Sequence, residues 1–217
     1  MTSIVIFGAG GRAGRAVSAE AERRGLQVTS VVRDPAKHQL SGRVVRGDIL
    51  DAGSVAALVT GHDAVVNAVS PASDPEALKA LGALDGKFYI TATDTLLDGL
   101  AAAGVLRLIV IGLFANLVDG GGKPLYDDPS VLPAEFRDFA VAHTAGLDRL
   151  RAAGTAVDWL MVTPPAQFDP QGPRRGTYRT GGETGGGVTL SYADLAVAVI
   201  DEIESPSHHR TRISVFD

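Results

Sequence analysis

The sequence has no cysteine among its 217 residues. Disulfides, thiolate nucleophiles, zinc ribbons and iron–sulfur ligation are therefore excluded. A basic surplus is missing too. The formal net charge is −5, which offers no broad positive field to nucleic acid and no polybasic patch to a membrane surface. No apolar run approaches the roughly 20 residues needed to span a bilayer. The N-terminal segment passes straight into the strand-like run Ile4–Phe7, without the basic start, longer apolar stretch and cleavage site of a secretory signal. A soluble, cytoplasmic protein is expected. Adjacent His208 and His209 lack metal-ligand spacing and read as an exposed loop pair, and His38 and His62 read as solvated loop residues. No metal site is expected.

What is present is an alternation of short β-branched runs with alanine-rich helical segments, the pattern of βαβ units around a parallel sheet. Strands are predicted at Ser3–Phe7, Gln27–Val32, Arg43–Gly47, Ala64–Ala68, Leu106–Ile111, Ala156–Met161 and Ile213–Phe216. Several are apolar at consecutive positions, as strands buried on both faces should be. Helices are predicted at Gly11–Arg24, Ser54–Val59, Thr95–Ala103, Ala134–Ala153 and Ala193–Glu204. Gly25, Gly61, Gly104 and Gly154 suit left-handed helix ends, and Ser191 with Asp194 suits a capping box.

The fold class is thus α/β: a Rossmann-type, doubly wound, mostly parallel sheet with a small C-terminal substrate-binding portion. No repeat or linker divides the chain, so one dinucleotide-binding domain over residues 1–217 is expected. Two irregular stretches, Asp119–Pro133 and Pro164–Val188, follow the fifth and sixth predicted strands. The second contains a hairpin-like piece around Thr177–Gly187. In open α/β sheets ligands bind beyond the carboxyl ends of the strands, so segments 113–133 and 164–190 are the expected pocket walls.

The first predicted strand runs directly into Gly8-Ala9-Gly10-Gly11-Arg12-Ala13-Gly14 and a helix. The spacing satisfies G-x-x-G-x-x-G, and G-x-G-x-x-A through Gly8, Gly10 and Ala13. Glycines let backbone N–H groups approach a pyrophosphate, and the helix N-terminus adds partial positive charge. A glycine motif between strand and helix is specific where a lone one is weak. About 20 residues on, an acidic residue reads the ribose of NAD, whereas arginine accommodates the phosphate of NADP. Here Arg33 ends the second strand, with Arg12 as a second cation, which favours NADP. Asp34 leaves NAD open. Asp48 and Ile49 are expected beside the adenine, and Ala68, Val69 and Ser70 along the cofactor.

The glycine turn, Val31-Val32-Arg33-Asp34-Pro35, Gly47-Asp48-Ile49-Leu50-Asp51 and Asp63–Ser70 together resemble the atypical short-chain dehydrogenases of the NAD(P)H-binding, NmrA-like group. The C-terminal half is similar to NADH-flavin reductases and biliverdin-IXβ/flavin reductase through Arg107–Gly112, Trp159–Pro165, Gly176–Arg179 and the tail from Ser191 to Arg212. The resemblance spans essentially the whole chain. It implies a reductase with Gly112, Leu113, Phe114, Pro164 and Pro165 along the cofactor. Ordinary short-chain dehydrogenases use a Tyr-x-x-x-Lys pair, but Thr93, Ser130, Gly182 and Ala196 stand four residues after the four tyrosines. The corresponding positions fall on Phe139 and His143, and the serine frequent after the fifth strand is absent.

Phe136, Ala140, His143, Leu147 and Leu150 recur at helical spacing on one inward face. His143 is the candidate catalytic residue, as a proton donor or as a group that fixes the acceptor; a hydrogen-bonded core histidine is the competing reading. The expected activity is hydride transfer from NADP, or NAD, to a small flat conjugated acceptor: flavin, quinone or conjugated carbonyl. The rival is a non-catalytic dinucleotide-binding redox sensor. A sugar-nucleotide epimerase ranks third because the C-terminal part is short for a nucleotide-sugar domain.

Overall fold

The computed structural model describes residues 1–71, 85–185 and 187–217. Its strands are β1 (Ser3–Phe7), β2 (Gln27–Val32), β3 (Arg43–Arg46), β4 (Ala64–Asn67), β5 (Arg107–Ile111), β6 (Asp158–Thr163), β7 (Gln167–Asp169), β8 (Arg179–Gly181), β9 (Thr189–Ser191) and β10 (Thr211–Phe216). The helices among the described residues are α1 (Arg12–Arg23), α2 (Ala52–Val59), α3 (Phe88–Ala103), α4 (Arg137–Ala152) and α5 (Tyr192–Glu204). One sheet runs β3-β2-β1-β4-β5-β6-β10-β8. All its pairings are parallel except β10 with β8.

The period-two geometry of the strands decides which helices cover which face. Ile4 and Ile6 join α1 and α5 through Val17, Ala21, Leu195 and Val199. Val5 and Phe7 join the opposite layer with Val55 of α2, Leu96 and Leu100 of α3 and Leu147 of α4. Helices on both faces explain why β1 and β4 are apolar at nearly every position. Strand order reverses between β1 and β4, which opens a crevice at their carboxyl ends.

Several expectations are corrected. β6 begins at Asp158, not Ala156, because Thr155 Oγ1 accepts from Val157 N in a tight turn (3.1 Å). Helix α3 begins at Phe88, seven residues before the expected Thr95: its aromatic and β-branched first turn is weakly helical alone, and packing overrides that propensity. Ala134–Phe136 is a 3₁₀ turn ahead of α4. Gly25, Gly61 and Gly104 are left-handed at φ 79°, 79° and 69°, but Gly154 is not, since α4 ends on extended Ala153. The Thr177–Gly187 piece is no hairpin: β8 pairs with β10, and β9 pairs in parallel with β7. Gly186, within segment 164–190, lies outside the described residues. Only half of the capping box forms. Ser191 Oγ accepts from Asp194 N at 3.0 Å, while the Asp194 carboxylate accepts from Arg175 N and Gly176 N. No helix among the described residues is long and apolar enough to cross a membrane.

Candidate dinucleotide and acceptor site

The glycine turn lies in the crevice between β1 and β4. Gly8 needs its positive φ of 79°, and a Cβ there would stand 2.6 Å from the Ala68 backbone. Gly11 N donates to Gly8 O at 3.0 Å and closes the turn. Gly14 lets α1 sit on it: a Cβ would approach Gly8 O to 2.2 Å. Gly11 is the N-cap of α1, and no side chain caps that end. The first-turn N–H groups, from Arg12 through Ala13 to Gly14, therefore have no acceptor among the described residues and can serve an outside one. Among the described residues a Cβ on Gly11 would meet nothing closer than Gly8 O at 3.4 Å, so they leave the space beside it open. An uncapped helix end above an open glycine is what a dinucleotide pyrophosphate requires. The residues present fit that group.

Directly after β2, Arg33 is exposed and its side chain forms no hydrogen bond or ion pair among the described residues. Asp34 is already engaged: its Oδ1 accepts from Ala36 N at 3.2 Å, and Lys37 lies 3.7 Å from its Oδ2. Asp48 Oδ1 accepts from Leu50 N at 3.0 Å. Ile49 is buried in the core beside Val31, and its carbonyl accepts from Thr95 Oγ1 at 2.5 Å. Arg12 stands 5.7 Å over the Tyr192 ring, which stacks on Phe168 at 4.2 Å. The second cation thus sits on the α5 side of the turn. Beyond β4, Asn67 Oδ1 accepts from Val69 N at 3.0 Å, turning Ala68, Val69 and Ser70 past Gly8.

A second group of the expected site residues lies after β5. Gly112 N donates to Val162 O at 2.8 Å, and a Cβ on Gly112 would fall 2.2 Å from Thr163 Oγ1. Pro164 and Pro165 are buried directly after β6. Leu113, Phe114 and Phe136 remain half-buried against Ala115, Leu132 and Ala140, and Leu113, Phe136 and Phe88 pack on Tyr89 and Phe139. This forms an apolar, aromatic wall at the carboxyl edge. Behind it, His143 is 6% exposed, with Nδ1 3.2 Å from Asn116 Nδ2 and its ring 4.4 Å from that of Tyr89. Burial pushes the His143 pKa down to about 4 against the pull of the Ile111 carbonyl, and the Arg212 cation lowers it further. Neutral His143 accepts at Nδ1 from the Asn116 amide. Burial also pushes the Tyr89 phenol above the usual tyrosine range, with a hydrogen bond to Ser70 pulling the other way.

Residues 8–206 match a protein family described as NAD(P)H-binding. This chain belongs to that NAD(P)H-binding family. YwnB of Bacillus subtilis, an uncharacterized protein, is 32% identical over 98% of this chain and 97% of its own. A Streptococcus pneumoniae protein provisionally named an NADH-flavin reductase superposes with a TM-score of 0.81 at 29% identity, covering 100% of both chains. A Bacteroides thetaiotaomicron protein provisionally named an epimerase gives 0.83 at 29%, covering 99% of this chain and 96% of that one.

The NAD(P)H-binding fold gathers the residues singled out from sequence along one sheet edge: Gly8 to Gly14 after β1, Arg33 after β2, Ala68 to Ser70 after β4, Gly112 to Phe114 after β5, and Pro164 and Pro165 after β6. His143 is enclosed by Tyr89, Phe139 and Asn116. Other histidines are less free than expected. His62 Nε2 lies 3.0 Å from Thr29 Oγ1, His208 Nδ1 2.7 Å from Glu202, and His209 Nδ1 2.8 Å from Asp158. The ring of His38 lies against Gly10. Sequence reading passed over Tyr89, Asn116 and Arg212. Tyr89 was hidden with the undetected first turn of α3, and the other two are brought together only by tertiary pairing.

Proposed function

We propose that this member of the NAD(P)H-binding family is an oxidoreductase that uses NADPH to reduce a small flat conjugated acceptor such as a flavin, a quinone or a conjugated carbonyl. The observation that carries the reading is one sheet edge bearing both the α1 terminus, with Arg33 unpaired among the described residues, and the half-buried wall of Leu113, Phe114 and Phe136. The likeness to the Streptococcus pneumoniae protein supports it. The α1 N–H groups hold the pyrophosphate, Arg33 the ribose phosphate, and Arg12 closes the turn from the α5 side. Gly112, Pro164 and Pro165 line the path toward the wall. Bound there, the nicotinamide supplies hydride. A conjugated acceptor needs chiefly to be positioned for that transfer. The aromatic wall excludes water and orients it. His143, neutral at working pH, is a positioning residue that fixes Asn116 and backs Tyr89.

A second reading, a sensor that binds dinucleotide without turnover, is favoured by one observation: Tyr89 is buried with no lysine partner among the described residues, and burial raises its pKa, making it a poor acid. Following NADPH absorbance with and without flavin or quinone separates the two. Acceptor-dependent oxidation is the expected result. Tight NADPH binding with no oxidation by any acceptor gives the sensor.

A further inference from the structure

Glycine at position 10 is not required by backbone conformation. Its φ is not positive, unlike that of Gly8. What excludes a side chain there is His38. A Cβ on Gly10 would stand 2.5 Å from His38 Cε1 and 2.7 Å from both Nδ1 and Nε2. The imidazole lies flat on the glycine turn, in the volume a side chain would otherwise fill.

The loop that carries the ring is anchored. Asp34 caps the 3₁₀ turn Pro35–Lys37, and Leu40 packs on the core below. Arg15 clasps loop and turn together: Nε donates to Gly10 O at 2.9 Å, Nη1 donates to Gln39 O at 3.0 Å, and Nη2 stands 3.5 Å from His38 Nδ1. A permanent cation beside Nδ1 makes that nitrogen the acceptor and leaves the proton on Nε2. The charged residues that the chain and the sheet register bring to this loop are mostly basic. Arg15 comes from α1, Arg33 from the end of β2, Lys37 from the loop, and Arg46 from the end of β3, where it pairs in register with Val32. The carboxylate of this loop, Asp34, is committed to Ala36 N and Lys37. Arg33 and Arg46 have no ion-pair or hydrogen-bond partner among the described residues. A hydrogen-bond donor on a basic loop, with two cations unpaired among the described residues and the second glycine of the turn beneath it, suits a phosphomonoester.

We infer that His38, seated on Gly10, is a second reader of the ribose 2′-phosphate, its Nε2–H donating to the phosphate that Arg33 holds. The inference rests on the NADP reading above and extends it to a residue outside the glycine motif. Gly10 and His38 then form one unit, the glycine existing to seat the ring.

The test is calorimetric titration of the full chain with 2′,5′-ADP and with 5′-ADP, for the parent, Arg33→Ala, His38→Ala, His38→Phe, Gly10→Ala and the double variant Gly10→Ala/His38→Ala, with melting temperatures as a folding control. His38→Ala and His38→Phe should each weaken 2′,5′-ADP about tenfold and leave 5′-ADP within twofold. Gly10→Ala should lose the same factor by displacing the ring, and should cost nothing further once His38 is alanine. Unchanged 2′,5′-ADP affinity in folded His38→Ala, with Arg33→Ala still weakened, would overturn the inference and leave the NADP reading standing. Equal loss of both ligands would overturn it as well, making the ring a prop for the turn. Equal affinity of the parent for both ligands would overturn the NADP reading itself, and this inference with it.

Discussion

Arg33 and the turn glycines carry separable duties. Arg33 is exposed and unpaired among the described residues, so on the proposed reading its removal should cost the fold little and the cofactor much. Losing a charge-assisted phosphate contact costs on the order of 1.5–3 kcal/mol. Arg33→Ala should therefore narrow the preference for NADPH over NADH by about tenfold or more, read as a ratio of dissociation constants. Gly11 and Gly14 divide in the same way. Gly11 has extended backbone, φ −77° and ψ 170°, and open space, so Gly11→Val should keep the melting temperature while abolishing dinucleotide binding. Gly14→Ala drives a Cβ to 2.2 Å from Gly8 O, a clash with backbone that cannot rotate away. It should lower stability by roughly 1–3 kcal/mol or more in a denaturant titration. The sequence motif names both glycines but cannot tell them apart; the distinction lies in what faces each missing Cβ. Arg12 illustrates the same limit: its membership of the turn was legible, but its direction, over Tyr192, depends on how α1 packs against α5.

At the scale of elements, the central parallel strands were readable because burial on both faces forces unbroken apolar runs. β7, β8 and β9 were not. Each is three residues long with a partner distant in sequence, and β7 and β8 are largely exposed. These strands matter because they fold segment 164–190 against the sheet edge. Glu183, just after β8, pairs with Arg212 of β10 and with Arg151 of α4. Arg212 is 4% exposed, and its Nη1 donates to Asn116 O at 2.5 Å, so the segment is tied to the group that fixes His143. Glu183→Ala strands a buried guanidinium, at a cost of about 2–3 kcal/mol. Adding Arg212→Met to Glu183→Ala should restore part of that loss, because an apolar side chain of similar length needs no partner. A double variant no more stable than Glu183→Ala alone would show that Arg212 contributes through Asn116, not through its carboxylate.

Across the whole molecule the two edges of the sheet serve different ends. At the amino edge Arg107 is buried against Asp158 and Glu202, a pairing that joins β5, β6 and α5, while the carboxyl edge keeps its donors for ligand. Two buried groups should then set the response to acid, in separate windows. His143 is neutral in the folded chain down to about 4, whereas an unfolded histidine takes up a proton near 6.5. Between these values the unfolded chain binds more protons, so stability falls as pH drops from about 6.5 to about 4, by a total of roughly 3 kcal/mol. Glu20 behaves as a depressed carboxylate. Its bonds to Arg23, and then to Arg174 and Arg24, outweigh burial and hold it well below its ordinary 4.5. Its contribution is complete above that value and is lost only as pH falls further. Denaturant titrations of the parent and of His143→Gln across pH 4.5–7 separate the two. The parent should lose stability steadily below about 6.5, and the variant should be less stable at pH 7 but flatter through the same range. Extended below 4.5, both curves should decline together, because the unfolded Glu20 gains its proton there while the folded carboxylate stays ionised. Parallel curves throughout would mean that His143 titrates normally in the fold, and a protonated imidazole beside Tyr89 would then be available as an acid.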